Sequence, residues 1–179
     1  MTSILMFSGS ARKESLNKKL IHAAANIAQQ QGAQVTIIDL ADYPMPIYDG
    51  DLEDNTGRPA HADALHDLVK SHDAIIIASP EYNGLPSPLL KNTIDWISRV
   101  DNKTFAGKTA GLIAASPGAL GGMRGLPHLR TLLTNTNALV VPQQMALGGA
   151  SSAFDDQGNL ADEKKHAMLT SVIDAVIAR

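Results

Sequence analysis

The chain has 179 residues, of which 44% are hydrophobic and 18% are charged, a composition that favours one globular domain with a sizeable core and excludes a disordered chain. Its net charge of −3, without any basic stripe, argues against nucleic-acid binding. The absence of cysteine excludes disulfides, thiolate metal sites and cysteine nucleophiles, and it fits a reducing, cytoplasmic location. We therefore expect a single domain over residues 1–179, located in the cytoplasm. We expect no insertion into membranes, because no apolar run approaches the roughly 18 residues that span a bilayer.

Strand-like and helix-like segments alternate in the first half of the chain. Residues 3–8 predict a strand rather than a signal peptide, because no basic segment precedes them. The apolar residues of segment 16–28 then fall on one face of a helix, and residues 34–40 predict a second strand. Residues 43–59 predict a long irregular loop, and loops of this length are usually functional or lie at interfaces. A short helix over residues 62–70 ends this half.

The same alternation continues in the second half. Residues 74–78 predict a strand buried on both faces, and residues 79–88 predict an irregular loop, because prolines and Asn83-Gly84 prevent regular structure. The remaining predicted elements are a helix that begins near Leu89, a strand over residues 109–116, a helix over 126–133, a strand over 138–142 stopped by proline, and a helix from about Asp162.

Five strands that alternate with helices require crossover connections, and these predict an α/β fold with a parallel sheet covered by helices on both faces. Periodicity leaves two strand orders open, the flavodoxin-like order 2-1-3-4-5 and the half-Rossmann order 3-2-1-4-5. The loop over residues 9–17 has neither the P-loop spacing nor the dinucleotide spacing of glycines, and the loop over 118–125 also lacks the latter. The loops therefore favour the doubly wound, flavodoxin-like order 2-1-3-4-5.

The loop after the first strand suits a phosphate group. A helix N-terminus offers unpaired backbone N–H groups and a partial positive charge. Ser10, Ser15 and Asn17 add neutral donors, and Arg12 adds a permanent charge. Nothing in this loop supplies a nucleophile or a metal ligand, so we expect it to hold a phosphate rather than cleave it. The alternative is that Ser15 only caps the helix and that Arg12 is a solvated surface residue.

The loop after the third strand suits a flat aromatic ligand with polar edges. It offers the ring of Tyr82, the amide of Asn83 and the carboxylate of Glu81. In the order 2-1-3-4-5, the loops after strands one, three and four meet at the switch point of the sheet, where ligands bind in such folds. FMN, with a terminal phosphate and a flat ring system, fits this set of loops, and a mononucleotide such as AMP is the physical competitor.

The same loops resemble those of a known family. Residues 9–17 are similar to the Gly-Ser-x-Arg-x-x-Ser-x-Asn signature of the NADPH-dependent FMN reductase family. Residues 79–84 and 90–96 resemble its Pro-Glu-Tyr-Asn and Lys-Asn-x-Ile-Asp-Trp motifs, and the similarity also covers residues 46–49. The subgroup it resembles most is that of the bacterial quinone, azo-dye and chromate reductases.

The resemblance implies a flavodoxin-like fold, bound FMN, NADPH or NADH as co-substrate, a small-molecule electron acceptor, and a homodimer or homotetramer in which residues 43–49 lie at the interface. It also implies no catalytic acid or base, because the flavin carries the chemistry. Gly84 stands where several relatives carry a bulkier residue. The cofactor-binding residues that we predict are Ser10, Arg12, Ser15, Leu16, Asn17, Pro80, Glu81, Tyr82, Asn83, Gly84, Ser116 and Gly118.

Four residues, one of them Glu81 from this set, have simpler interpretations. Trp96 is expected to pack in the core, and Glu81 to cap a helix or pair at an interface rather than relay a proton. Arg124 and His128 are expected on a solvated helix face, with a nicotinamide phosphate or a neighbouring subunit as alternative partners. No metal site is expected, since the histidines lack a ligand spacing. Two functional alternatives stay open, a flavodoxin-type electron carrier without NAD(P)H turnover and a regulatory nucleotide-binding module.

Overall fold

The computed structural model describes residues 1–179 and contains a central parallel sheet flanked by helices. The strands are β1 (Ser3–Ser8), β2 (Gln34–Asp39), β3 (Ala74–Ala78), β4 (Glu81–Tyr82), β5 (Leu85–Pro86), β6 (Thr109–Ala115) and β7 (Leu139–Leu147). The α-helices are α1 (Leu16–Gln30), α2 (Gly50–Thr56), α3 (Ala60–Ser71), α4 (Pro88–Val100), α5 (Gly125–Asn135) and α6 (Glu163–Ile177). Short 3-10 turns follow β2 and β7. No helix combines the length and the hydrophobicity that crossing a bilayer would require.

The five long strands pair in parallel in the order β2-β1-β3-β6-β7. Because β4 and β5 form a separate small hairpin, β6 and β7 are the fourth and fifth strands of the sheet, and the predicted order 2-1-3-4-5 is confirmed. Helices α1 and α6 cover one face, and α3, α4 and α5 cover the other. Strand β3 lies at the centre, and its three isoleucines are completely buried, as expected for a strand covered on both sides.

The prediction that the fifth strand ends at Pro142 is wrong, because β7 continues to Leu147. Proline lacks the N–H that a central strand needs, yet β7 is an edge strand with β6 as its single partner. The register also shifts here, because Ala110 pairs with Val140 and Leu112 pairs with Gln144. This irregularity accommodates the proline, and the strand resumes beyond it.

The segment over residues 43–59 is less irregular than predicted, because Gly50–Thr56 form helix α2. The Asp49 side chain caps this helix by accepting a hydrogen bond of 2.9 Å from the backbone N–H of Asp51. No residue of α2 is buried, so the helix has no apolar face. The sequence therefore carries no hydrophobic periodicity that would reveal it.

The loop over residues 79–88 contains the hairpin of β4 and β5, which the sequence analysis did not predict. Asn83 and Gly84 form its turn with φ angles of 54° and 83°. Two successive positive φ angles are typical of the tight hairpin turn that Asn-Gly favours. The hairpin holds Tyr82 and Asn83 at its tip, beyond the carboxyl end of β3.

Candidate functional site

A cleft of about 420 Å³ opens at the carboxyl end of the sheet, where the loops after β1, β3 and β6 meet. This is the switch point between β1 and β3 at which the strand order reverses. The cleft brings together most of the predicted residues: Ser10, Arg12, Ser15, Leu16, Asn17, Pro80, Glu81, Tyr82 and Ser116.

The remaining predicted residues lie at the far end of this region. Asn83 and Gly118 line an adjoining depression of about 390 Å³, which shares Glu81 and Ser116 with the cleft. Gly84 lines neither cavity, and its position in the hairpin turn accounts for its positive φ. The cleft and the depression adjoin at Glu81 and Ser116, and we describe them together as the candidate site.

Four lining residues are outside the predicted cofactor-binding set: Glu14, Ala115, Pro117 and Ser151. Ser151 belongs to the 3-10 turn that follows β7. Parallel neighbours end at the same edge of a sheet, so the loop after the fifth strand reaches the site as the other loops do. The prediction that β7 ended at Pro142 placed this loop too early in the chain and hid the relation.

The first turn of α1 has unpaired backbone donors that point to an anion. Ser15 caps the helix, and its Oγ accepts a hydrogen bond of 3.3 Å from the backbone N–H of Lys18. The N–H groups of Leu16 and Asn17 donate to no protein atom. The exposed guanidinium of Arg12 lines the same cleft and has no carboxylate partner in the chain. This end of the cleft is therefore suited to a phosphate.

The side chain of Asn17 has a different task from the one predicted. Its Nδ2 donates to the carbonyl oxygen of Ala115 and its Oδ1 accepts from the N–H of Ala115, both at 2.9 Å. Asn17 is 4% exposed, so this paired contact is buried and joins the start of α1 to the end of β6. Its backbone N–H, rather than its side chain, is the donor available to a ligand.

Gly9 lets the first loop lie directly on helix α4. A Cβ at this position would lie 2.9 Å from Cβ of Leu90, too close for a side chain. The Ser87 side chain donates a hydrogen bond to the carbonyl oxygen of Gly9, and the N–H of Gly9 donates to Ala78 at 2.9 Å. The loop that carries the free donors is thus fixed on two sides.

Glu81 caps helix α5 from the hairpin. Its Oε2 accepts hydrogen bonds from the backbone N–H groups of Arg124, at 2.9 Å, and Gly125, at 3.1 Å, and its Oε1 pairs with the guanidinium of Arg124. Burial would raise the pKa of Glu81, but the hydrogen bonds and the charge of Arg124 outweigh burial and hold its pKa below the ordinary value. Glu81 is a helix cap and an ion-pair partner, and the interpretation that set capping above proton relay is confirmed.

Trp96 lies outside the site. It is completely buried, and its indole N–H donates a hydrogen bond of 2.8 Å to the carbonyl oxygen of Pro46. The Asn92 side chain donates to the same oxygen and accepts from the N–H of Tyr48, both at 2.8 Å. The predicted packing role of Trp96 is confirmed. Together with Asn92 it also fixes the segment that precedes α2 to helix α4.

This arrangement suits the binding of a cofactor more than chemistry by side chains. One end offers free N–H donors and a cation, and the other offers the ring of Tyr82 and the glycine-rich backbone around Gly118. No group of three histidine, aspartate or glutamate side chains has the geometry of a metal site. A ligand with a terminal phosphate and a flat ring system fits both ends, and FMN has this structure.

Comparison with known families decides the class. Residues 2–152 match the family model of the NADPH-dependent FMN reductases. The chain belongs to this family. Membership confirms the predicted resemblance and enzyme class, an oxidoreductase that works with FMN and NAD(P)H, and it sets aside AMP as the ligand.

Individual proteins that this chain is similar to agree with this assignment. The chain is 32% identical to an NAD(P)H-dependent FMN reductase of Pseudomonas aeruginosa, over 97% of this chain and 92% of that protein. It is 33% identical to a quinone reductase of Escherichia coli K12, over 93% of this chain and 89% of that protein. Among solved structures, the flavoenzyme NAD(P)H:(acceptor) oxidoreductase FerB of Paracoccus denitrificans superposes with a TM-score of 0.86 at 27% identity, covering 99% of this chain and 96% of that one.

Proposed function

We propose that this FMN reductase acts over its whole length, residues 1–179, as one flavin-binding unit that reduces quinones, azo compounds or similar small acceptors with NAD(P)H. The observation that carries the proposal is the cleft at the switch point of the sheet, which joins an anion site to walls suited to an aromatic ring. The quinone reductase of Escherichia coli K12, which is 33% identical, supports the acceptor class.

The residues divide into two groups by position. The N–H groups of Leu16 and Asn17, with Ser10 and Arg12, would hold the phosphate of FMN, because they line one end of the cleft and the backbone donors are free. Residues 80–83, together with Ser116 and Gly118, would contact the rest of the cofactor. FMN would supply the redox chemistry, as the carrier of electrons between NAD(P)H and the acceptor.

The exposure of the site favours a ping-pong order of reaction. Tyr82 is 49% exposed, so the ring end of the site opens to solvent rather than into an enclosed pocket. A single open face would serve the nicotinamide first and the acceptor afterwards. An open site of this kind also makes few specific contacts with the acceptor, which supports a broad range of quinone and azo substrates.

Anaerobic stopped-flow absorbance on the FMN-reconstituted protein tests the proposal. NADPH should bleach the flavin absorbance, and a benzoquinone added in a second mixing step should restore it in the absence of NADPH. Steady-state rates at several acceptor concentrations should then give parallel double-reciprocal lines. Bound flavin that NADPH does not reduce would indicate a flavodoxin-type electron carrier instead. Protein that binds no FMN would contradict the proposed function altogether.

We also propose that the protein forms a homodimer or homotetramer through residues 43–49. Ile47 is 85% exposed, although the backbone on both sides of it is fixed by Asn92 and Trp96. When a partner covers an apolar side chain that is held rigidly in water, the free energy falls and the assembly is stabilised. Sedimentation velocity should show that Ile47→Asp shifts the protein toward monomer. Met168→Asp, at an exposed methionine on α6, is the matched control and should leave the assembly intact.

A further inference from the structure

Glu81 joins two segments that belong to different parts of the chain. It begins the hairpin that carries Tyr82 and Asn83, and its side chain, 9% exposed, points to the N-terminus of α5. Four donors reach its carboxylate: the backbone N–H groups of Arg124 and Gly125, and the Nε and a terminal nitrogen of Arg124 at 2.9 and 2.7 Å. Both carboxylate oxygens are therefore engaged with the segment that follows the glycine-rich loop.

Helix α5 depends on this contact because nothing closer can cap it. Arg124 occupies the N-cap position, carries no acceptor atom, and already has helical backbone angles with φ −73° and ψ −29°. No side chain of the preceding segment makes a capping hydrogen bond. The acceptor that a helix N-terminus requires comes instead from Glu81, on the hairpin.

The contact between Glu81 and Arg124 also lies at the depression next to the hairpin, which both residues line. Asn83 of the hairpin and residues 118–122 of the glycine-rich loop line this depression together with Glu81 and Arg124. The backbone packs closely around its side chain, since a Cβ at Gly125 would lie 3.4 Å from Cγ of Glu81. Movement of the hairpin away from the N-terminus of α5 would break three hydrogen bonds and the ion pair with Arg124.

We infer that Glu81 is a positioning residue, which ties the hairpin to the glycine-rich loop and so fixes the two walls that hold the flavin ring. Arg124 is its partner in this tie rather than a free cation for a nicotinamide phosphate, because Nε and one terminal nitrogen of its guanidinium are paired with Glu81. The inference rests on the proposed function, in that the ligand at these walls is FMN. In this role, Glu81 makes no contact with the reacting atoms.

FMN titration by flavin fluorescence, with Glu81→Gln and Arg124→Ala, tests the inference. Glu81→Gln removes the charge that all four donors share, so the dissociation constant of FMN should rise by about 10- to 100-fold, the range for losing charge-assisted hydrogen bonds. Arg124→Ala keeps the two backbone hydrogen bonds, and a smaller rise, about three- to tenfold, is expected. His128→Ala is the matched control, because this exposed residue on the first turn of α5 makes no hydrogen bond.

The titrations are made at a temperature where urea unfolding shows each apoprotein to be folded, so that a loss of stability cannot imitate a loss of affinity. The visible spectrum of the bound flavin should also differ between Glu81→Gln and the parent. If Glu81→Gln does not fold, Arg124→Ala decides alone, through the same rise in the dissociation constant and the same spectral change.

Several results would overturn the inference. Folded Glu81→Gln that binds FMN as tightly as the parent, with the same spectrum, would make Glu81 a structural cap only. Arg124→Ala that leaves FMN affinity unchanged but raises the KM for NADPH would make Arg124 a nucleotide-binding cation. In both cases the parent still binds FMN and is reduced by NADPH, so the proposed function survives. A parent protein that binds no FMN would overturn both.

Discussion

Arg12 and Arg124 both lie at the surface beside the site, one at the end proposed to hold the phosphate and one at the end proposed to hold the ring, but their surroundings differ. Arg12 has no carboxylate partner, and the neighbouring N–H groups of Leu16 and Asn17 are also unpaired. Arg124 is paired with Glu81. The two arginines show that the available hydrogen-bonding capacity, rather than residue type, separates groups that can hold a ligand from groups that hold the protein together.

The phosphate end contains both kinds of group within one turn of helix. The Asn17 amide is engaged with Ala115, whereas its backbone N–H is free. Variants can therefore separate the supporting groups from the ligand-holding groups, the former through the free energy of unfolding and the latter through FMN affinity.

Removal of the buried amide should give the largest effect. Asn17→Ala leaves the N–H and the carbonyl oxygen of Ala115 buried without partners, so the free energy of unfolding should fall by roughly 2–4 kcal/mol. Urea denaturation of the apoprotein measures it. Asn102→Ala, at an exposed asparagine without hydrogen bonds, is the control. A loss below about 0.5 kcal/mol, the usual range for surface substitutions, would mean that Asn17 does not support the cleft.

Removal of the free guanidinium should affect binding and leave stability unchanged. Arg12→Ala should weaken FMN binding by roughly 1.5–3 kcal/mol, the range for a hydrogen bond to a charged group, with the urea midpoint unaltered. Lys13→Ala tests whether a neighbouring charge alone matters, because Lys13 is exposed but does not line the cleft. An affinity for FMN that is equal in Arg12→Ala and the parent would remove Arg12 from the phosphate site.

Acidification should produce the smallest change in the free energy of unfolding, through the contacts of Glu81 with Arg124 and Gly125. The folded state holds the pKa of Glu81 below its ordinary value of 4.5, so the carboxylate contributes stability that is complete above this pH. That contribution is lost as the pH falls through the folded-state pKa. The difference in unfolding free energy between the parent and Glu81→Gln should therefore be constant from pH 7 to about pH 5 and shrink below pH 4.5. A difference that grows on acidification would contradict the pairing with Arg124.

The strand order and the position of the site could be predicted from the sequence, because they depend on strong and repeated signals. Buried strands such as residues 74–78 are continuous apolar runs, and the polar loops that follow them mark the carboxyl edge of the sheet. Helix α2 and the end of β7 could not be predicted, because α2 buries nothing and because Pro142 is tolerated only at an edge strand. Which strand lies at the edge of the sheet can be told only after the strand order is known.

Within the site, residue types could be predicted from the sequence, but their hydrogen-bond partners could not. The carboxylate of Glu81 and the guanidinium of Arg124 are 43 positions apart, and only the folded chain shows that they meet. The contact between Asn17 and Ala115 spans 98 positions and uses backbone atoms, which leave no trace in the sequence. Such partners depend on tertiary structure, so a donor in a predicted binding loop cannot be assigned to a ligand until its own contacts are known.

Trp96 is an internal optical probe of the segment before α2. Its indole N–H donates to the carbonyl oxygen of Pro46, which also accepts a hydrogen bond from Asn92. Trp96 is the single tryptophan of the chain, and its ring packs edge-on against that of Tyr48 with centroids 5.1 Å apart. A shielded indole emits at shorter wavelength than a hydrated one. The emission maximum of the unlabelled protein therefore reports whether residues 43–49 remain attached to α4, across a range of protein concentrations as well as in denaturant.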